Sequence, residues 1–336
     1  MSQCGSVVDP GLKERSPVKY LSSVGVGASL LCLLASPVKA ICFVTANGAS
    51  SNTGDQWASP YDLQTALKSS SCTEIWVAAG AYFPTSDANP AISFTIKHGK
   101  SIYGGFAGTE TQRSQRDPAT NRTILSGDID HNDAGNDGID SNPEQIVGGN
   151  SFHVVVVDGT TAFGPVGPDT VLDGFTVTGG SAYNANYAQL GGGLLCFGVS
   201  GGVCNPTLSQ LVFSGNGALE GGAIYNAGTG GESSPRILAS TFTGNSTAVI
   251  SNFGGGGVSS PVIVNSTFVN NTCPVIFNRS IGGISSPTLI NVTISGNMAA
   301  IGPGCGGAIY DSASTGQGEA DTHERHLVER RHARNC

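Results

Sequence analysis

A repeat of about 26 residues is the feature that most restricts how this chain can fold. Four segments start with Asn-Pro or Ser-Pro and run through a short alternating stretch to an apolar residue and then to an Asn. Their prolines lie 29, 26 and 26 residues apart, at Pro206, Pro235, Pro261 and Pro287. An interleaved Ile-x-Asn series repeats every 26 residues, starting at Ile224, Ile250 and Ile276. Two series with one period indicate a solenoid of stacked repeats.

The repeat unit has the local pattern of short β-strands. Alternating stretches such as Ser240–Thr243 and Asn291–Ile294 are bounded by Gly, Asn and Pro. One such unit cannot bury its apolar face alone, whereas stacked copies bury it continuously. We therefore predict an all-β fold, a single-stranded right-handed parallel β-helix whose coils are about 4.8 Å apart. Propeller blades are longer, at about 40 residues, and the Leu/Asn pattern of leucine-rich repeats does not occur here.

Two ladders of side chains are expected from the repeat. The apolar positions are predicted to stack inside the coils, at Phe213, Phe242, Phe268 and Ile294. The Asn positions are predicted to stack at a turn, because Asn tolerates left-handed backbone geometry and its amide can bond between coils. These residues are Asn216, Asn245, Asn271 and Asn297. Less regular coils are predicted upstream, at residues 74–80, 94–96, 101–106, 153–157 and 171–177.

One segment, Tyr61–Lys68, has a helical pattern, with Leu63, Ala66 and Leu67 on a single face. A β-helix exposes an unpaired sheet edge at each end, and such edges promote aggregation. We therefore predict a short N-terminal capping helix that covers the first coil.

The N-terminus has the features of an export signal. Lys13, Arg15 and Lys19 precede an apolar run from Leu21 to Ala35, and small residues lie at a cleavage spacing before Ala40. We predict a signal peptide at 1–40, the β-helix at 41–318 and a charged tail at 319–336. A membrane anchor is the alternative for the N-terminus, although the run is short for a span. After cleavage no transmembrane span is expected.

The tail departs abruptly from the composition of the repeats. It is rich in charge and contains three of the six His residues. We interpret it as the product of a reading-frame shift near Thr322, because one shifted frame can encode a peptide similar to Pro287–Asn297. A solvated charged extension is the alternative.

Six cysteines lie between the predicted signal and the tail: Cys42, Cys72, Cys196, Cys204, Cys273 and Cys305. An even number in an oxidising compartment indicates disulfides. We expect the pairs Cys42–Cys72 and Cys196–Cys204, although spacing alone leaves other pairings open. Because no C-x-x-C spacing occurs, the sequence favours a structural role for these residues over a metal site.

Charge restricts the possible partners. The formal net charge is −8, which disfavours nucleic acid and anionic membranes as partners. Charged residues make up 12% of the chain, against about 25% in an average domain. We expect a monomer.

The acidic chemistry is concentrated between Asp128 and Asp140, where five Asp occupy thirteen positions. Alternating carboxylate and amide oxygens suit Ca²⁺, and the candidate ligands are Asp128, Asp130, Asn132, Asp133 and Asp137. The EF-hand pattern is not matched, because Asp133 replaces its Gly and Ile139 its Glu. A solvated loop built on Asx turns is the alternative.

The regular coils offer few catalytic groups. Residues 183–310 contain four charged side chains and no Asp or His, whereas glycoside hydrolysis requires paired carboxylates. Asp158 and Asp173 end strands of neighbouring coils, and with the nearby His153 they are the candidate catalytic residues. A turn-forming role of Asp before Gly is the alternative for both.

Several segments share a recognisable pattern: Tyr61–Gln64, Glu74–Tyr82, Tyr103–Glu110, Ile124–Asp130 and Leu172–Gly179. Together they resemble a bacterial family, the pectin-lyase-like right-handed β-helix surface proteins. Gly-Gly-Ala-Ile at Gly221 and Gly306, together with the Phe-x-x-Asn pieces, resembles polymorphic outer-membrane protein repeats. The resemblance covers residues 42–311.

This resemblance implies a protein that is secreted or displayed on the bacterial cell surface. It implies a non-catalytic adhesion, glycan-binding or structural module whose partner is an extracellular glycan or cell-surface ligand. A polysaccharide lyase or glycoside hydrolase of the same fold is the alternative, because a shared fold does not by itself carry function.

Overall fold

The computed structural model describes residues 40–183, 189–272, 274–298, 308–314 and 317–318. Over these residues each complete coil contributes one strand to each of three sheets, numbered 1 to 3 in the order in which the chain passes through them. Within a sheet, the strands of successive coils pair in parallel. This arrangement is the predicted parallel β-helix.

Sheet 1 contains, in stacking order, Ile41–Val44, Glu74–Ala78, Ser101–Phe106, Val171–Asp173, Thr207–Ser209, Arg236–Leu238, Val262–Val264 and Thr288–Ile290. Sheet 2 contains Gly80–Tyr82, Thr123–Ser126, Thr176–Thr178, Val212–Ser214, Thr241–Thr243, Thr267–Val269 and Thr293–Ser295. Sheet 3 contains Phe94–Ile96, Val155–Asp158, Leu194–Phe197, Ile224–Ala227, Ile250–Gly255, Ile276–Ile281 and Ile309–Ala313.

Smaller elements decorate the coils. Two short strand pairs are Ser181–Ala182 with Gly217–Ala218 and Ile284–Ser285 with Gln317–Gly318. The α-helix is Leu63–Lys68, and 3-10 turns occur at Arg113–Gln115 and Pro143–Gln145.

The apolar ladder forms as predicted. Phe213, Phe242 and Phe268 are directly paired in sheet 2, Ile294 continues the row, and all four are buried. The rings stack with centroids 5.1 Å apart between Phe213 and Phe242 and 4.4 Å apart between Phe242 and Phe268. One repeated position therefore builds a continuous core.

The Asn ladder also forms, although its backbone differs from the expectation. Asn245 donates its side-chain amide to Asn271 Oδ1 at 3.0 Å and to the Phe213 carbonyl of the preceding coil at 2.9 Å. The predicted left-handed conformation of the ladder residues is wrong, since positive φ angles occur one residue earlier, at Gly215, Gly244, Asn270 and Gly296. The earlier residue makes the sharp turn, and the Asn side chain can then reach back into the coil.

A capping helix closes the N-terminal end of the core, as predicted. Leu63, Ala66 and Leu67 are buried, and the helix packs against the first strands of sheets 1 and 3. Asp62 Oδ1 accepts a hydrogen bond from Thr65 N at 2.8 Å, which caps the first turn. At the other end Lys100 Nζ donates to the carbonyl oxygens of Ser69 and, at 2.7 Å, Cys72.

Both expected disulfides are present. Cys42–Cys72 and Cys196–Cys204 have Cα–Cα separations of 5.4 and 5.8 Å. Several of the predicted features lie outside the described residues: Cys273, Cys305, positions 1–39 of the predicted signal peptide, and the tail at 319–336. In the part of the chain that the structure describes, no helix is long and apolar enough to cross a membrane.

Candidate functional site

The acidic segment forms a long loop, residues 127–150, between a strand of sheet 2 and a strand of sheet 3. Asp140 holds this acidic loop against later coils, because its backbone N donates to Thr178 Oγ1 at 2.9 Å and its carbonyl accepts from Ser214 Oγ at 2.6 Å. The contact is so close that a Cβ atom on Gly215 would lie 2.5 Å from the Asp140 carbonyl oxygen. The loop thus lies across turns of the coils that follow it.

Asp128 and Asp130 accept hydrogen bonds within the acidic loop. The two carboxylate oxygens of Asp128 accept from the backbone N of Asn132 at 3.0 Å and of Asp133 at 3.2 Å. Asp130 Oδ2 accepts from Asn132 Nδ2 at 3.0 Å and from Gly149 N at 2.7 Å. These carboxylates therefore brace the loop internally, through contacts with its own backbone and with Asn132 rather than through the i to i+2 bonds of Asx turns.

The remaining predicted ligands have different surroundings. Asp133 accepts from Val147 N at 2.6 Å and from Asn150 Nδ2 at 2.7 Å. Asp137 is exposed, and its Oδ2 lies 3.4 Å from Arg122 Nη2. Within the described ranges no three His, Cys, Asp or Glu side chains are grouped so that they could hold a metal ion. Calcium binding stays a prediction.

Asp140 is the residue of this loop that sequence reasoning missed. The residue as a whole is 2% exposed. Both Asp140 Oδ2 and Asp133 Oδ2 lie 3.2 Å from the point that a Cβ on Gly179 would occupy, which places the two carboxyl groups side by side. The only signal in the sequence was its place as the last of the five Asp residues.

Burial raises the pKa of Asp140 to about 7, and the negative charge of Asp133, a hydrogen bond between the two side chains and the charge of Asp128 add to this. Burial also raises the pKa of Asp133. Burial and the repulsion between the two like charges therefore keep the pair protonated to higher pH than an exposed Asp.

The three candidate catalytic residues have separate partners. Asp158 is in sheet 3, and its Oδ1 accepts from Thr160 N at 3.0 Å in an Asx turn. Asp173 is in sheet 1, where it forms an ion pair with Arg116 and accepts from Gln210 Nε2 at 3.3 Å.

His153 hydrogen-bonds through Nδ1 to the Gly191 carbonyl at 2.9 Å, and burial lowers its pKa. Because Asp158 and Asp173 face outward from different sheets, the structure does not bring them together as a carboxylate pair. The turn-forming alternative fits Asp158.

A row of hydroxyl groups lies on the outer face of sheet 2. Thr241, Thr267 and Thr293 pair in register on successive coils, and each is at least partly exposed. On earlier coils the same face is covered, since Thr178 and Ser214 are buried at the acidic loop. The outer face of sheet 2 is therefore open to solvent mainly on the later coils, beyond the part that the acidic loop covers.

A profile of the Chlamydia polymorphic membrane protein repeat matches residues 210–227 and 291–312. The first match contains Phe213–Asn216 and the second contains Ile294–Asn297, which are equivalent turns of the solenoid. The match supports a location at the bacterial cell surface. No curated protein and no solved structure matches the chain.

Proposed function

We propose that this protein is a non-catalytic binding module of the bacterial cell surface whose β-helix attaches to an extracellular glycan. The location is supported by the two repeat matches. The binding role is supported by the regular hydroxyl row of sheet 2.

The hydroxyl row carries this proposal. Paired strands are about 4.8 Å apart, so Thr241, Thr267 and Thr293 present one hydroxyl per coil at that spacing. Each hydroxyl can donate and accept hydrogen bonds, which suits the hydroxyls of a polysaccharide. Weak contacts repeated along one polymer add up through effective concentration.

The alternative is an enzyme that cleaves polysaccharides, by hydrolysis or by the elimination reaction of a lyase. The paired carboxyls of Asp133 and Asp140 are the observation that favours it. A carboxylic acid that stays protonated near neutral pH is a general acid of the kind that glycosidases use. The 2% exposure of Asp140 opposes this role, because a buried carboxyl does not reach a glycosidic bond. Binding is therefore the better supported function.

The test incubates the full chain with pectic, alginate-like and neutral polysaccharides, with calcium or with chelator. Bound polymer, unsaturated ends and new reducing ends are followed together. We expect bound polymer without new ends. Replacing Thr241, Thr267 and Thr293 by Val should weaken binding at least about tenfold, because each lost hydrogen bond contributes about 0.5–1.5 kcal/mol.

Thr288→Val is the control, since Thr288 is partly exposed on sheet 1. Cleavage that disappears in Asp140→Asn would replace binding by the enzymatic alternative. Equal loss of binding in the control would remove the hydroxyl row from the proposal.

A further inference from the structure

A cavity of about 310 Å³ lies at the N-terminal end of the β-helix, apart from the hydroxyl row. Four parts of the chain form it: the residues after the first strand of sheet 1, the start of the capping helix, the strand Gly80–Tyr82 with the segment that follows it, and Phe94 of sheet 3. His131 of the acidic loop completes its wall. The cavity is at the small end of ligand sites, which span about 300–1,000 Å³, and is suited to a single small ring.

Hydrogen bonds fix the walls of this cavity. Gln64 Nε2 donates to the Pro84 carbonyl at 2.7 Å and to the Ser93 carbonyl at 3.1 Å. The Tyr82 hydroxyl donates to the Ala78 carbonyl at 2.8 Å. Because these polar groups already have partners, the cavity is preformed, and less ordering is needed when a ligand binds.

His131 packs against Phe83 from a turn with left-handed backbone geometry. Its φ is 58°, in the left-handed region that few non-Gly residues adopt. The imidazole and the Phe83 ring meet edge to face with centroids 4.1 Å apart. The turn and the ring contact together fix His131 in the wall of the cavity.

The polar groups of the cavity select the charge of a ligand. Among the described lining residues Asp62 is the one carboxylate, no Lys or Arg is present, and His131 is the one side chain that can carry a positive charge. Its two oxygens accept from Thr65 N at 2.8 Å and from Thr65 Oγ1 at 2.7 Å, and a carboxylate has further acceptor sites. With His131 uncharged, the site therefore favours a neutral ligand that donates hydroxyls and disfavours an anion.

We propose that this cavity binds one neutral sugar residue, such as the end of a glycan chain. The C–H face of the sugar packs against Phe83, and its hydroxyls donate to Asp62 and exchange hydrogen bonds with Thr45 and Ser86, which also line the cavity. This proposal rests on the proposed glycan-binding function and adds a second, separate contact to it.

The experiment titrates the full chain with methyl β-glycosides of glucose, galactose and N-acetylglucosamine, and with methyl glucuronide as the anionic counterpart. Calorimetry and ligand-observed NMR give the Kd. We expect at least one neutral glycoside to bind and the glucuronide to bind at least about tenfold more weakly. Phe83→Ala and Asp62→Asn should each raise the Kd of the neutral glycoside about tenfold or more.

Controls check that the two variants stay folded and that the effect is specific to the cavity. Asn also caps helices, so Asp62→Asn removes the charge while it keeps the capping helix, and thermal unfolding checks that Phe83→Ala is folded. Phe163→Ala removes a 40% exposed ring that does not line the cavity and should leave the Kd unchanged.

The two proposals fail in different ways. If the polymer binds but no glycoside binds with a Kd below about 10 mM, the proposed sugar site in the cavity is overturned and the proposed role of the hydroxyl row stands. Glycoside binding that is unchanged in both Phe83→Ala and Asp62→Asn also overturns the proposed sugar site. Glycoside binding without polymer binding, in contrast, overturns the hydroxyl row alone.

Discussion

At the scale of the residue, Asp140 shows how burial changes one carboxyl group. The ion pair of Asp173 with Arg116 neutralises a buried carboxylate on the outer face of sheet 1. The nearest titratable partner of Asp140, in contrast, is the like-charged Asp133. Among the described residues no ion pair to Asp140 is formed. The protein therefore keeps Asp140 protonated to higher pH than an exposed Asp.

Asp140→Asn should remove a pH dependence of stability. A folded pKa raised from 3.8 to about 7 gives stability that is complete below the unfolded pKa and is lost as pH rises through the folded pKa. The Asp140 carboxyl should therefore contribute a loss of about 2–4 kcal/mol of unfolding free energy between pH 4 and pH 8, on top of the contributions of the other titrating groups. The Asn variant should lack this contribution, so the difference between the two proteins in urea unfolding free energy should change by about that amount from pH 4 to pH 8.

Asp117→Asn is the matched control for that measurement. Hydrogen bonds from the Thr120 side chain and from the backbone N of Thr120 and Ala119 lower the pKa of the Asp117 carboxyl, so its contribution is lost only as pH falls below the ordinary Asp range. The control should keep the wild-type slope between pH 4 and pH 8. A wild-type slope in Asp140→Asn would contradict the buried proton.

At the scale of the element, the acidic loop is held by two kinds of contact. Its carboxylates accept from its own backbone, as Asp128 does from Asn132 and Asp133. Its far end is attached to the coils through Asp140. A cation would add a third contact by neutralising the clustered carboxylates.

Calcium should stabilise the acidic loop if the predicted ligands bind it. Thermal unfolding in about 5 mM Ca²⁺ should occur at a higher Tm than in chelator, because a ligand that binds the folded state stabilises it by mass action. Asp133→Asn should abolish the difference, whereas Asp158→Asn, outside the loop, should retain it. An identical wild-type Tm in both buffers would rule out the site.

At the scale of the whole molecule, glycine lets successive coils approach each other. Four glycines occupy equivalent positions at the ends of sheet 3 strands. Three directly follow a strand, Gly159, Gly198 and Gly228, and the fourth, Gly254, lies near the end of one. A Cβ atom at each would lie 1.8–2.0 Å from a backbone carbonyl oxygen of the next coil. The backbone carbonyl cannot move away without disturbing the stack, so any side chain is excluded there.

Gly228→Ala should therefore destabilise the solenoid by about 3 kcal/mol or more, the upper range for overpacking. Its Cβ would lie 2.0 Å from the Val258 carbonyl oxygen. Gly167→Ala is the control, because the nearest atom there is the Asp169 side-chain oxygen at 3.0 Å, which can rotate away. Urea midpoints should fall for Gly228→Ala and stay within error for Gly167→Ala, and equal shifts would contradict close stacking.

The sequence by itself determined the periodic part of this protein. The spacing of Phe213, Phe242 and Phe268 predicted a stacked core, because residues one period apart occupy the same place in successive coils. The apolar face of Leu63, Ala66 and Leu67 predicted the capping helix. These features depend on intervals along the chain, which a sequence displays directly.

The tertiary structure alone decided where the irregular loops lie and what they bury. Asp140 is buried because its carbonyl meets Ser214, which is 74 residues away and has no periodic relation to it. Asp158 and Asp173 are apart because a coil turns between sheets 3 and 1 within fifteen residues. His131 reaches Phe83 only through the path of the acidic loop. Burial, pKa and cavities arise from contacts between distant segments, and no interval in the chain encodes them.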